Sequence, residues 1–127
     1  MIRVLLAAQL QVAQEVMRHL QEHPEFAVVG TAVDEAHVCQ RTADLLPDLV
    51  LMELAAPGLN GLDATKRLIQ AGLKTKVLIL TTAESETAMI PIVRAGARGF
   101  LHLSAHGYKL VDAMRTVLAG DFYLPTC

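Results

Sequence analysis

Two hydrophobic periods alternate along this chain, and no other feature constrains its fold as much. Short, mainly apolar runs stand at Ile2–Ala7, Phe26–Ala32, Leu49–Met52, Val77–Leu80 and Gly99–Leu103. Runs of this length predict strands covered on both faces. The segments between them have helical spacing. Leu10, Ala13, Val16, Met17 and Leu20 predict a first helix that ends before Pro24. A second is predicted over about Glu35–Leu46, with Val38, Ala43, Leu45 and Leu46 near the sheet and Pro47 as its stop. A third begins near Gly61, places Leu62, Ala64, Thr65, Leu68 and Ile69 around its inner face, and is capped at Gly72. The last covers Tyr108–Ala119, carries Leu110, Val111, Met114, Val117 and Leu118, and ends at Gly120.

The fourth helical segment is irregular. Its pattern runs from Ser85 to Ala95, with Ala88, Met89, Ile92 and Val93 inward, yet Pro91 falls inside it. Proline there removes a backbone donor and crowds the carbonyl of Thr87. This helix is expected to start late, near Ile90, or to be kinked.

Five strand–helix units with short loops in 127 residues predict one α/β domain with an all-parallel sheet and helices on both faces. In such sheets the functional crevice lies at the C-terminal ends of the strands. That singles out Ala8–Gln9, Glu53, Thr81–Thr82 and Leu103–Ser104.

Composition narrows the function. Apolar residues make up 53% of the chain, enough for a sizeable core without metal or disulfides. Charged residues make up only 19%, which leaves apolar surface for a partner. A net charge of −2 points neither to nucleic acid nor to an anionic membrane. No apolar stretch reaches the roughly 20 residues that span a bilayer. The start, Met1 to Leu6, lacks the long apolar core of a signal peptide, so a cytoplasmic location is expected. Cys39 and Cys127 lie far apart without ligand-like spacing and read as reduced thiols.

Several stretches together resemble a response-regulator receiver domain (CheY-like), of the NarL/FixJ (LuxR-type) class. They are Ile2-Arg3-Val4-Leu5-Leu6-Ala7, Pro47-Asp48-Leu49-Val50-Leu51-Met52 and Pro57-Gly58-Leu59-Asn60-Gly61-Leu62. Lys76-Val77-Leu78-Ile79-Leu80-Thr81-Thr82 and Arg94-Ala95-Gly96-Ala97-Arg98-Gly99-Phe100-Leu101 follow. The end, Ala119-Gly120-Asp121-Phe122-Tyr123-Leu124, also looks like the close of such a receiver. The resemblance covers residues 1–127. It implies a flavodoxin-like, doubly wound five-stranded sheet in the order 2-1-3-4-5, with five helices.

Receivers move a phosphoryl group from a histidine kinase to their own aspartate. An acidic pair holds Mg²⁺, a Thr or Ser and a Lys bind the phosphoryl oxygens, and an aromatic residue on the fifth strand changes rotamer with the Thr. A hard dication needs oxygen ligands, and phosphoryl transfer is mostly positioning and charge neutralisation. Carried over, the acidic pair falls on Ala8 and Gln9, the nucleophile position on Glu53 and the lysine position on Leu103. Thr81 and the aromatic Phe100 keep the family's pattern. No catalytic residue and no metal ligand set remains, so Mg²⁺ binding is expected to be weak or absent.

Glu53 carries one extra methylene, which pushes its carboxylate out by about 1.5 Å. It reads either as a built-in phosphate mimic or as a glutamate left at a decayed site. Thr81 and Phe100 read either as a working switch or as a helix cap and a core filler. Ala8, Ala56 and Leu103 open the reading of an apolar crevice that takes a small ligand, with Gln9, Thr81 and Thr82 as polar handles. Collapse of side chains into that space is its counterpart. His102 and His106 flank the end of the fifth strand and do not form a ligand pair. His19 and His23 have i,i+4 spacing but, with no acidic or cysteine partner expected beside them, read as a solvated helix end. Asp48 should sit at a strand start, away from the crevice.

The expectation is an atypical, phosphorylation-independent receiver that regulates and does not catalyse. The resemblance implies dimerisation through the fourth helix, fifth strand and fifth helix, or through helices one and five. It also implies either a fragment of a transcription regulator, whose helix-turn-helix effector domain would lie beyond residue 127, or a receiver that stands alone as an interaction module, while nothing within these residues should bind DNA directly. A receiver still phosphorylated by a histidine kinase and a ligand-sensing receiver are the alternatives.

Overall fold

A computed structural model describes residues 1–82 and 89–124. One sheet holds five strands: β1 (Ile2–Ala7), β2 (Phe26–Ala32), β3 (Leu49–Glu53), β4 (Lys76–Thr81) and β5 (Gly99–His102). All pairings within it are parallel, and the spatial order is 2-1-3-4-5. The helices are α1 (Leu10–Leu20), α2 (Glu35–Leu45), α3 (Gly61–Gln70), α4 (Met89–Ala95) and α5 (Leu110–Leu118). This is the flavodoxin-like receiver topology that the sequence implies.

Strand residues point alternately to the two faces, so one sheet serves two cores. Val4, Leu6, Leu51, Leu78, Leu80 and Leu101 pack under α1 and α5. Leu5, Ala7, Val50, Met52, Ile79 and Phe100 pack under α2, α3 and α4. Full burial of one such aliphatic side chain contributes roughly 1.5–3 kcal/mol, which is why Val4–Ala7, Leu49–Met52 and Val77–Leu80 read as unbroken apolar runs.

Local signals set the ends. Asp34 caps α2 by accepting from the backbone N–H of His37 at 2.8 Å, and Asn60 caps α3 by accepting from that of Asp63 at 3.1 Å. Gly72 and Gly120 stand just past α3 and α5 with φ of 74° and 96°, which only glycine adopts without strain. Leu46 ends α2 in the left-handed region at φ 47°. The Arg3 guanidinium donates to the carbonyls of Leu45 and Leu46 and holds that turn.

The structure corrects several expectations of inward faces. On α1, Leu10 and Met17 are exposed and Val12 takes the core position. On α2, Ala43 and Leu46 are exposed, and Thr42 lies inside, one helical repeat beyond Val38. Its hydroxyl donates to the Val38 carbonyl at 2.7 Å, so burial leaves it satisfied. On α3, Ile69 is exposed. The fifth strand stops at His102, because Leu103 opens a one-turn helix, Leu103–His106. A 3-10 turn, Gly107–Lys109, then leads into α5, which starts two residues later than the apolar pattern suggests. In α4, Ile92 is buried and Val93 is exposed. Ser85, Thr87 and Ala88, on which the late or kinked start of this helix turns, lie outside the described residues, as does Cys127. Cys39 is a half-buried free thiol.

Beyond α5 the chain turns back along the free edge of β5. The Tyr123 N–H donates to the Arg98 carbonyl at 3.0 Å, and the Phe100 N–H donates to the Tyr123 carbonyl at 2.9 Å. The sheet edge is thereby covered for the length of this bridge.

Candidate functional site

Parallel registry brings the C-terminal strand ends level. Ala7 pairs with Met52, Glu53 with Leu80, and Thr81 with His102. The crevice they border therefore gathers Ala8, Gln9, Glu53, Thr81 and Leu103 from four separate strand ends. Ser104 donates to the Thr82 carbonyl at 3.2 Å and ties the two loops on the β4–β5 side together.

Glu53 is the ionisable group at the centre, and it is only 2% exposed. Its Oε1 accepts from the backbone N–H of Gln9 at 3.0 Å, and its Oε2 accepts from the Gln9 side-chain amide at 3.2 Å. Burial pushes the carboxyl above its ordinary range, and the two bonds from Gln9 pull it back down. One residue thus presents both a backbone and a side-chain donor to one carboxylate. From sequence, Gln9 offers a neutral oxygen to a metal; in the fold it acts as a hydrogen-bond donor.

The backbone beneath Glu53 is held by α3. The Gly61 N–H donates to the Leu54 carbonyl at 2.9 Å. A Cβ on Gly61 would lie 2.5 Å from the Glu53 carbonyl oxygen and 3.0 Å from Leu54. Glycine is required here by the close approach of the helix to the end of β3.

The remaining positions are apolar or buried. Ala8 and Leu103 belong to the same core cluster, at 3% and 1% exposed. Thr81 is buried at the end of β4. Phe100 is buried beneath α4, its ring edge-to-face with that of His102 at 5.2 Å between centroids. Ala56 lies in a two-residue antiparallel ladder with Leu59, at the entrance to α3.

A divalent cation fits this donor set poorly. Ala8 offers no side-chain oxygen, and each oxygen of Glu53 accepts a bond from Gln9 that a metal would have to compete with. Among the described residues, no group of three or more His, Cys, Asp or Glu side chains could hold a metal.

Residues away from the crevice have structural partners. Asp48 accepts from the Arg3 backbone N–H at 2.8 Å, at the start of β3 and far from Glu53 along the strand. His23 has an acidic neighbour after all, Glu25 at 3.4 Å, which also meets Arg115 at 3.5 Å. His19 packs against Gly107.

Two cavities lie outside the crevice. The larger, about 790 Å³, opens at the opposite end of the sheet between Ile2, Leu46, Asp48, Leu73, Lys74 and Thr75. The Thr75 hydroxyl there is buried without a hydrogen-bond partner. The smaller, about 330 Å³, lies beside β5 and the segment that follows α5. Ala8, Gln9, Ala56, Thr81, Thr82 and Leu103 line neither of them.

A family profile described as the response regulator receiver domain matches residues 4–115. Among curated relatives, the oxygen regulatory protein NreC of Staphylococcus carnosus is 36% identical over 101 residues, covering 79% of this chain and 46% of NreC. The response regulator GacA of Pseudomonas viridiflava is 32% identical over 125 residues, covering 98% of this chain and 58% of GacA. The chain thus spans about half the length of the curated relatives it matches. Among solved structures, a LuxR-family two-component response regulator from Aurantimonas sp. SI85-9A1 superposes with a TM-score of 0.85 at 28% identity. That match covers 95% of this chain and 86% of the other. No described helix is long and apolar enough to cross a membrane.

Proposed function

The chain belongs to the response regulator receiver family, with relatives of the LuxR/NarL type, and on that premise we propose that it is an atypical receiver that signals without phosphorylation. The observation that carries this reading is the tie between Glu53 and Gln9. A carboxylate held through both oxygens by one neighbour is fixed in orientation, and the bonds from Gln9 compete with attack on a phosphoryl group and with a metal for its lone pairs. Leu103 supports it too. A buried aliphatic side chain stands where the family's lysine would neutralise phosphoryl oxygens. The domain then works as a regulatory module and not as a catalyst, and Mg²⁺ binds weakly or not at all.

In this reading the ionised Glu53 carboxylate supplies a built-in negative charge at the end of β3, in place of one added by a kinase. Phe100 lies inward beneath α4, the position that accords with such a charge. A ligand in the strand-end crevice is less favoured, because Ala8 and Leu103 are buried in one core cluster. Output through a homodimer, built on α4, β5 and α5 or on α1 and α5, and an attached DNA-binding domain in a longer cytoplasmic regulator complete the proposal. The coverage of about half of each curated relative is consistent with such a second domain.

The test is addition of Mg²⁺ with beryllofluoride, followed in the amide NMR spectrum, and of Mg²⁺ with a small phosphodonor, followed by intact mass. No shifts around Glu53, Thr81 and Phe100 and no mass gain are expected. Clear shifts or a phosphoryl adduct would refute the reading.

A further inference from the structure

The cavity beside β5 is built from three separate segments. Phe100 and His102 come from β5, His106 and Lys109 from the two turns before α5, and Tyr123 and Leu124 from the segment after it. Its volume of about 330 Å³ is at the small end of the range for small-molecule sites. Its chemistry is one-sided. His102, His106 and Lys109 all bring side-chain nitrogens, and no acidic residue lines the cavity among the described residues. None of the three has a carboxylate within ion-pair distance among the described residues. The Lys109 ammonium instead lies 5.7 Å from the centre of the Tyr108 ring. The remaining lining is aromatic and aliphatic.

We propose that this cavity is a receptor site for a small amphipathic carboxylate. The carboxylate meets Lys109 and the histidine nitrogens, and an aromatic or branched body of a few carbons rests against Tyr123 and Leu124. One ammonium and two imidazoles with no carboxylate beside them among the described residues favour an anion, while an apolar wall favours one that carries hydrocarbon over a bare inorganic ion. The proposal is independent of whether Glu53 is phosphorylated, since Glu53 does not line this cavity.

The location gives the ligand a lever. The outgoing segment is seated on β5 by the pair of backbone bonds between Tyr123 and the strand, at 3.0 and 2.9 Å. Arg98 reinforces the seat, with its guanidinium 5.2 Å from the centre of the Phe122 ring. A molecule touching both β5 and Tyr123–Leu124 stabilises the seated state over any in which the segment lifts away, by its differential affinity for the two. Ligand occupancy would thereby favour the seated position of Tyr123–Leu124 on β5.

The test uses benzoate as the probe, titrated into the protein and followed in the amide NMR spectrum. Benzyl alcohol serves as the neutral match, and inorganic phosphate as the anion without an apolar body. Saturable shifts of Phe100, His102, Lys109 and Tyr123 are expected, with a Kd on the order of 1 mM. Both controls should bind more weakly. Lys109→Gln and His106→Gln, at exposed positions, should each weaken benzoate by roughly fivefold without changing the fold. Slower hydrogen exchange at the Phe100 amide, the donor to Tyr123, should accompany binding. Absence of saturation, equal response to benzyl alcohol or to phosphate, or unchanged affinity in both variants would each overturn the proposal.

Discussion

Gln9 holds both oxygens of Glu53, one through its backbone N–H at 3.0 Å and one through its side-chain amide at 3.2 Å. The bond from the side chain can be removed on its own. Gln9→Ala keeps the backbone donor and strips one oxygen of its partner in a buried setting. A hydrogen bond to a charged group contributes about 1.5–3 kcal/mol, and partial access of water on loss of the side chain brings the expected cost to about 1–2 kcal/mol at neutral pH. Urea denaturation at pH 7 measures it, and an unchanged midpoint would show that the amide contributes nothing.

The same pair fixes the sign of a pH dependence. Burial raises the Glu53 carboxyl above its ordinary value of 4.5 despite the bonds from Gln9. The folded state therefore holds this proton more tightly than the unfolded state does. The associated stability is fully present below pH 4.5 and is lost as pH rises through the folded-state value. Glu53→Gln cannot titrate. The stability of the natural chain minus that of Glu53→Gln should fall as pH is raised from 4.5 toward 7, as read from paired denaturation curves. A difference that grows with pH would mean that the bonds from Gln9 outweigh burial.

Leu103 should behave as a core residue. It is 1% exposed and shares a cluster with Ala8, Leu101 and Leu110. Leu103→Ala is expected to cost about 2–4 kcal/mol, from lost transfer energy plus the cavity left behind. A cost below about 0.5 kcal/mol, as at an exposed position, would contradict that placement.

Much of this architecture is legible in the sequence because burial on both faces of a parallel sheet leaves a plain signature. Leu49 to Met52 are all apolar because each faces a core. Legibility fails where geometry outweighs composition. Thr42 is polar yet inside, since a helix can satisfy its own hydroxyl, while the apolar Leu46 is exposed because the chain must turn there. The one-turn helix at Leu103 leaves no periodic trace in four residues. Glu53 and Gln9 stand out as family positions, but their bond depends on the registry of β1 against β3, which no local pattern encodes. The cavity beside β5 joins residues more than twenty positions apart, so only the folded chain brings them together.

The metal dependence follows from charge. A receiver with three carboxylates in its crevice carries repulsion that a divalent cation relieves, and binding then raises stability through mass action. With Ala8 and Gln9 at the acidic positions, Glu53 is the one carboxylate among the described crevice residues, and it is already paired. A ligand at ten times its Kd would add about 1.4 kcal/mol to stability, enough to move a domain of this size by a few degrees. Millimolar Mg²⁺ is expected to leave Tm unchanged. A clear rise that vanishes in Glu53→Gln would locate a cation at the carboxylate and remove the ground for reading this crevice as closed to metal.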